Sequence, residues 1–250
     1  MKYFITICIL TLMTISNFAQ LLNADGFFNG SYDKKYINGN KIKQIRINTI
    51  LGGKKSSFFI FDFDKKGFLQ KQTIFDKHGK KVNGFVFKYN KYQDQIERIN
   101  MDYSLKKIYK VSFSKEYNNS LLVREKSSEF PFVINYFYNS QKQKIETKTF
   151  LDLDTANSSK RIFYFTYDLK GKLQQTKEIL MSVDGISNPI STTNYFYNKN
   201  GRIISFQKDN SPLYFINYDK KGLIKSTTFK MAEEFSKLEF IDNYNYSFWK

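Results

Sequence analysis

The chain has 250 residues, of which 40 are Lys or Arg and 23 are Asp or Glu, giving a formal net charge of +17. Hydrophobic residues make up 41% and aromatic residues 18% of the sequence, which excludes a disordered chain and predicts one folded domain or one repeat array. A single His (His78) and a single Cys (Cys8) exclude His/Cys zinc sites, iron–sulfur clusters, Cys–His nucleophilic pairs and intramolecular disulfides.

The first 19 residues have the features of a signal peptide. Lys2 provides a basic start, residues 3–15 are apolar, and a polar stretch ends at Ala19, after which we expect cleavage. A membrane-spanning helix is disfavoured because it needs about 20 apolar residues. Cys8 lies inside the apolar run and does not look like a lipoprotein acceptor. The sequence therefore predicts a signal peptide over 1–19, and an exported domain over 20–250 that lacks a transmembrane segment.

One short phrase recurs along the exported domain: an aromatic residue, any residue, an aromatic residue, Asp or Asn, two polar residues, Gly, a basic or apolar residue, and Leu or Ile. Clear copies cover residues 61–69, 165–173, 195–203 and 216–224, and a shorter copy covers 74–82. The paired turn residues are Asp64 and Gly67, Asp76 and Gly79, Asp168 and Gly171, Asn198 and Gly201, and Asp219 and Gly222. Copies without the Gly cover residues 87–90, 113–122 and 136–139, and incomplete copies at the ends of the array cover 32–35, which includes Asp33, and 243–246, which includes Asn245.

Each copy predicts a β-hairpin. Asp or Asn at the first turn position accepts hydrogen bonds from later backbone N–H groups, and the Gly supplies the left-handed conformation that closes the turn. Alternate residues of the entering strand share a face, as Phe59, Phe61 and Phe63 do, while the opposite face also carries apolar side chains such as Tyr164 and Phe196. The fold is therefore expected to be all-β: tandem antiparallel hairpins forming an open, twisted meander sheet or a solenoid-like array.

Other segments carry weaker signals. Gly52 and Gly53 read as a hairpin turn rather than a phosphate-binding loop, since the spacing of that loop and its following helix are absent from the sequence. Asp184-Gly185 is expected to form a return turn between two long strands. Residues 230–238 are the best helical candidate, with one or two turns.

The phrase resembles the signature of the YD-repeat, or Rhs-type, family, which reads Tyr-Asp-x-x-Gly-Arg/Lys-Leu/Ile in tandem hairpins. Residues 168–173, 198–203 and 219–224 carry the resemblance best. The chain also looks like the small secreted YD-like proteins that are common in some Gram-negative bacteria. What the resemblance implies is a stack of hairpins rather than an activity, because this chain is too short to close the large toxin-enclosing shells of the family and lacks their terminal Asp-Pro pair.

The sequence offers few candidates for catalysis or metal binding. His78 lies in a turn flanked by lysines, where a partner for general base catalysis is not expected. The carboxylate pairs Asp62/Asp64, Asp152/Asp154 and Glu233/Glu234 fall short of a calcium loop, which needs more oxygen ligands at fixed spacing. We expect no enzyme activity, no catalytic residues, no cofactor and no metal. Asp154-Thr155-Ala156 matches a short bacterial O-glycosylation pattern.

Charge and aromatic content each allow two interpretations. The positive charge could attract anionic polymers, but Lys together with Asn is also typical of AT-rich coding, and lysines protect sheet edges. Nucleic acid is not an expected partner of an exported protein. The aromatic residues could stack on sugars, although aromatics at period two usually pack across strands. Trp249 either caps the last hairpin or forms such a platform.

The sequence thus predicts an exported, non-enzymatic protein that is periplasmic, surface-associated or secreted, and that presents an extended sheet to an envelope protein, glycan or other component. Two alternatives stay open. One is an immunity or antitoxin-like partner of a secreted toxin. The other is an envelope hydrolase that uses paired carboxylates.

Overall fold

The fold is seen in a computed structural model that describes residues 34–91, 95–119, 121–128, 133–150, 160–182, 184–209, 213–230 and 239–250. Within these ranges it contains one short helix, α1 (Lys34–Gly39), and sixteen strands. The strands are β1 (Ile42–Leu51), β2 (Lys54–Phe63), β3 (Leu69–Asp76), β4 (Lys81–Tyr89), β5 (Gln95–Asp102), β6 (Lys107–Asn118), β7 (Leu121–Ser127), β8 (Val133–Tyr138), β9 (Lys144–Phe150), β10 (Lys160–Tyr167), β11 (Leu173–Met181), β12 (Ser187–Tyr197), β13 (Ile203–Lys208), β14 (Tyr214–Tyr218), β15 (Ile224–Lys230) and β16 (Glu239–Phe248).

The strands form a closed antiparallel barrel. Each strand pairs with its neighbours in the chain, and β1 pairs with β16 to complete the ring. The all-β prediction with hairpin connections is confirmed, whereas the open sheet or solenoid-like array is wrong. The reason is the pairing of the first and last strands, which runs from Ile42 opposite Phe248 to Leu51 opposite Phe240. This pairing satisfies the backbone groups that two open edges would have left exposed.

Most copies of the recurring phrase form turns at the same end of the barrel. The turns 64–67, 168–171, 198–201 and 219–222 join β2 to β3, β10 to β11, β12 to β13 and β14 to β15, so they lie at one end, here called the motif end. The turn 76–79 joins β3 to β4 and lies at the opposite end. The copies 61–69 and 74–82 are therefore two turns that share strand β3, not two separate hairpins.

The two ends of the described chain meet at the motif end. The backbone N–H of Trp249, just after β16, donates to the carbonyl of Lys41, just before β1, over 2.8 Å. Ammonium groups of Lys43 and Lys65 lie 5.2 and 5.7 Å from the centre of the Trp249 ring. Strands β16 and β1 thus take the place of one more hairpin, and Trp249 caps their junction.

The core lies on the inner face of the barrel. One buried cluster joins side chains from β1–β4 to side chains from β11–β16, and these strands form one continuous arc because β1 pairs with β16. Ile45 illustrates the arrangement, since it is 1% exposed and pairs with Phe61 on one side and Tyr246 on the other. Ile37 of α1, also 1% exposed, belongs to the same cluster. The helix therefore packs onto the core.

Several predictions fall outside the described residues. These are the signal peptide with Cys8, the incomplete copy at Asp33, the pairs Asp152/Asp154 and Glu233/Glu234, and the Asp154-Thr155-Ala156 pattern. The helical candidate 230–238 is described only at Lys230, which is the last residue of strand β15. Of the residues that the structure describes, no helix is long and apolar enough to cross a bilayer.

Candidate functional site

The turns of the motif use their acidic side chains internally. Oδ1 of Asp168 accepts hydrogen bonds from the backbone N–H groups of Lys170 and Lys172 at 2.9 and 2.8 Å, and Gly171 adopts a φ of 78°. The same pair of bonds forms at Asp64, Asp76, Asn198 and Asp219, and the glycines Gly67, Gly79, Gly201 and Gly222 have φ between 80 and 85°. These side chains shape turns, and their oxygens are already occupied there.

Tyrosines at the ends of several strands bond neighbouring hairpins to one another at the motif end. The hydroxyl of Tyr197 on β12 donates to the carbonyl of Leu173 on β11 at 2.7 Å, and Tyr218 on β14 donates to Ile203 on β13 at 2.8 Å. The tyrosines that make this bond are Tyr89, Tyr138, Tyr167, Tyr197, Tyr218 and Tyr246. The bonds join the Tyr of one copy to the Leu, Ile or Lys that ends the previous copy.

The residue after the turn Gly also contacts the next hairpin. Lys172 lies 5.4 Å from the ring centre of Tyr197, and Phe68 packs edge-on against Tyr89 with the ring centroids 4.9 Å apart. This contact accounts for the basic or aromatic residue at that position of the phrase, since both side-chain types stack on an aromatic ring.

The side chains that could take part in catalysis, Asp62, Asp64 and His78, do not form a common site. Asp62 accepts a hydrogen bond from the Gln44 amide at 2.8 Å, while the side chain of Asp64 is held in its own turn. His78 is exposed, and its backbone N–H donates to Asp76 at 2.9 Å. A bond from the backbone N–H of Lys80 is the largest cause that lowers the pKa of Asp76. Among the described residues, no three His, Cys, Asp or Glu side chains come together in a way that could hold a metal ion.

The inner face contains buried carboxyl groups that sequence analysis missed. Burial raises the pKa of Asp242 to about 6, and Thr49 donates to its Oδ1 at 2.6 Å. Glu178 is paired with Arg161 and accepts a hydrogen bond from the Ser191 hydroxyl at 3.0 Å. The register brings these polar groups together, since it pairs Asp242 with Thr49 and Glu178 with Ser191. The hydrogen bonds offset the cost of burying the carboxyls.

The outer wall of the barrel has an ionic sector on β4–β9. Glu97 on β5 lies between Lys88 on β4 and Lys110 on β6, at 2.7 and 2.5 Å. Hydrogen bonds from these two lysines lower the pKa of Glu97. Further pairs join Arg124 to Glu116 and Lys148 to Glu146. Exposed lysines and ion pairs of this kind are typical of a surface in contact with water.

A second sector of the outer wall, on β12–β14, is uncharged. We call it the amide face and define it by its outward-facing residues Asn194, Phe196, Ser205, Gln207, Phe215 and Asn217. Ser226 on β15 and Asn243 on β16 continue it, because Asn217 pairs with Ser226 and Ser226 pairs with Asn243. Phe196 is 44% exposed and Phe215 is 50% exposed. Exposed aromatic rings among neutral amides make this sector the candidate binding site.

The alternation along the strand predicted Phe196 on the face opposite the aromatic stripe, together with other apolar side chains such as Tyr164. The structure leaves Phe196 and Phe215 open to solvent because closure of the barrel directs one face of every strand inward and the other outward. The available signal was one asparagine at an outward-facing position of each of β12, β14 and β16, namely Asn194, Asn217 and Asn243. It could not be used without the register that aligns them.

Comparisons with known proteins give a fold but no family: no family model and no curated protein matches the chain. A porin-like protein from Bacteroides uniformis superposes with a TM-score of 0.52 at 10% identity, covering 82% of this chain and 98% of that one. A porin-like protein from Bacteroides vulgatus gives a TM-score of 0.36 at 9% identity over 82% and 98%. The TcdB2-TccC3 complex gives 0.33 at 13% identity, covering 73% of this chain and 13% of that one. The similarity to the Bacteroides uniformis protein, at 10% identity, indicates a shared fold.

Proposed function

We propose that this protein is an exported, non-enzymatic barrel of the cell envelope that binds an envelope component on the amide face of its outer wall. Export is supported by the signal-peptide features of residues 1–19. We also propose that the protein is a small member of the YD-repeat family. That proposal is supported by the way its signature residues bond from one hairpin to the next, as Tyr218 does to Ile203.

The observation that carries the binding role is the exposure of Phe196 and Phe215 on a rigid closed sheet. Large apolar side chains exposed side by side on an otherwise polar wall are typical of interaction surfaces. Strand pairing on either side fixes the backbone that carries both rings. Binding therefore requires little loss of conformational freedom in the protein.

A binding role is favoured over a catalytic one because the acidic side chains already form hydrogen bonds or ion pairs within the protein. Those of the motif are held in turns, Asp62 is bonded to Gln44, and Glu97 is neutralised by two lysines. A general acid or base needs a carboxyl group that faces substrate and is not already occupied in this way. The motif and the outer wall thus supply contacts rather than reactive groups.

The test is an affinity pulldown from envelope extracts with the mature chain, residues 20–250, at low and high salt. The informative variant carries Phe196→Thr and Phe215→Thr, since Thr retains strand propensity. The matched control is Phe137→Thr. Phe137 occupies the same motif position as Phe196 and is 40% exposed, but it lies in the ionic sector, where the Lys148 ammonium is 5.0 Å from its ring centre.

We expect wild type and the Phe137→Thr control to retain the same saturable partner at high salt, and the double variant to lose it. Salt screens charge attraction but not apolar contact. Equal retention by the double variant would contradict the assignment to the amide face. Complete loss of every partner at high salt would contradict specific envelope binding.

A further inference from the structure

We propose that the amide face binds a neutral, linear polysaccharide, with sugar rings stacked on Phe196 and Phe215 and sugar hydroxyls bonded to the surrounding amides. This inference rests on the proposed function and adds the chemical class of the ligand. It follows from the spacing of the two rings, the side chains around them and the lack of charge at the described residues of the face.

The two rings are separated by one strand. Phe196 on β12 pairs with Ser205 on β13, and Ser205 pairs with Phe215 on β14. Two strand spacings separate the rings by about 9–10 Å. Ser205 is small and 8% exposed, so no bulky side chain rises between them from that position. The result is a pair of apolar platforms at a separation comparable with the length of a disaccharide, suited to a chain that runs across the strands.

The polar side chains around the two rings, here called the fringe of the amide face, can form hydrogen bonds with sugar hydroxyls. Asn194 lies opposite Gln207, and Asn217 lies opposite Ser226. Primary amides offer both donors and acceptors, which matches the dual character of a sugar hydroxyl. The fringe is also ordered before binding, since Gln175 donates to Asn194 at 2.9 Å and Asn217 donates to Ser226 at 3.2 Å. Pre-ordered polar groups reduce the entropy lost on binding.

Charge decides between a neutral and an anionic polymer. The six residues that define the amide face are uncharged, although 40 of the 250 residues in the chain are Lys or Arg. Charged residues stand at its borders, where Lys177 lies opposite Thr192 and the exposed Lys225 precedes Ser226. An anionic chain would gain more from the lysine-rich motif turns, where Lys199, Lys220 and Lys221 are exposed. The contacts on the amide face itself therefore favour a neutral sugar.

The experiment is isothermal titration calorimetry of the mature chain at low and high salt with neutral hexasaccharides: linear glucans, mannans and chitin oligomers. Heparin serves as the anionic probe. The variants are Phe196→Thr, Phe215→Thr and Asn217→Asp, with Phe137→Thr as the matched control. Asn217 is exposed, so its substitution tests the fringe without disturbing the core. Thermal melting establishes that each variant is folded.

We expect at least one neutral hexasaccharide to bind, with affinity that does not depend on salt. Each Phe→Thr change should weaken binding by about tenfold or more, which corresponds to the loss of one stacked ring. Asn217→Asp should weaken it as well, and Phe137→Thr should leave it unchanged. Binding of heparin alone, binding of no neutral sugar, or equal binding by the Phe variants would each overturn the inference.

The pulldown separates the failure of this inference from the failure of the proposed function. If the envelope partner retained through Phe196 and Phe215 is a protein and no hexasaccharide binds, the polysaccharide assignment is wrong while envelope binding stands. If neither the pulldown nor calorimetry depends on the two rings, both proposals fail.

Discussion

The guanidinium of Arg202 lies 5.5 Å from the ring centre of Tyr218, and the Tyr218 hydroxyl donates to the carbonyl of Ile203, the residue after Arg202. The same guanidinium lies against Gly222, where an added Cβ atom would collide with it. One turn therefore contacts the next turn through three of its signature positions. The basic residue, the Tyr and the Gly of the phrase are coupled between hairpins, in addition to their roles within each hairpin.

Replacing Gly201 by Val should destabilise the protein by about 1 kcal/mol or more, because a β-branched residue is strained at a left-handed position. Gly201 has a φ of 80°, and its added Cβ would lie 2.9 Å from the Lys172 ammonium nitrogen. Urea unfolding measures the change. Gly39→Ala is the control, since an added Cβ at Gly39 meets nothing within 4 Å and the φ of Gly39 lies outside the left-handed region. Equal unfolding midpoints for Gly201→Val and wild type would remove the turn assignment.

Replacing Tyr218 by Phe should cost about 1 kcal/mol, since it removes a part-buried hydrogen bond and leaves the Ile203 carbonyl without that donor. Tyr164→Phe is the matched control, because Tyr164 lies on the outer wall with 39% of its surface exposed. Both variants keep the aromatic ring, so differential thermal melting isolates the hydroxyl. A loss of stability that is no larger at Tyr218 than at Tyr164 would argue against the bond between hairpins.

Asp242 should make the barrel less stable as the pH rises from about 4 to about 6. Its pKa is raised by burial from 3.8 to about 6, so the folded state holds a proton that the unfolded state has already released in this range. The stabilisation that depends on this proton is fully present below the pKa of the unfolded state. It is lost as the pH rises through the pKa of the folded state, and the free energy of unfolding falls by about 3 kcal/mol in total.

The measurement for Asp242 is the difference in unfolding free energy between wild type and the Asp242→Asn variant across this pH range. The Asn side chain retains an acceptor for Thr49 and does not titrate, so the difference removes contributions from other groups. We expect wild type to lose stability relative to the variant with rising pH. A pH-independent difference would mean that Asp242 titrates at an ordinary pKa.

Removing strand β16, by ending the chain before Glu239, should convert the protein into aggregates. The truncation exposes the edges of β1 and β15, and unpaired edges recruit other chains. Size-exclusion chromatography detects the change. Removal of Lys250 alone is the control, because this residue lies beyond β16. A monomeric truncated chain would show that closure is not required to protect the sheet.

Sequence patterns predict the local structure well, because the chemistry of a turn is contained in a few consecutive residues. Asp168 and Gly171 need only each other and the backbone between them to define a hairpin. Closure was not predictable in this way, since the alternation along β1 and β16 is the same whether these strands pair with each other or remain edges. The amide face depends on closure and register together. Phe196 and Phe215 stand 19 positions apart in the chain, and only two strand pairings place them side by side.

The pairing of β1 with β16 also sets an order of events during folding. Thr49 and Asp242, which bond across this seam, are 193 positions apart in the chain. Contacts between residues so far apart in the chain raise the contact order, which is typical of slow folding. The seam cannot form until β16 is present, so one edge of β1 stays unpaired until the other strands have formed. We therefore expect closure of the ring to be a late step of folding.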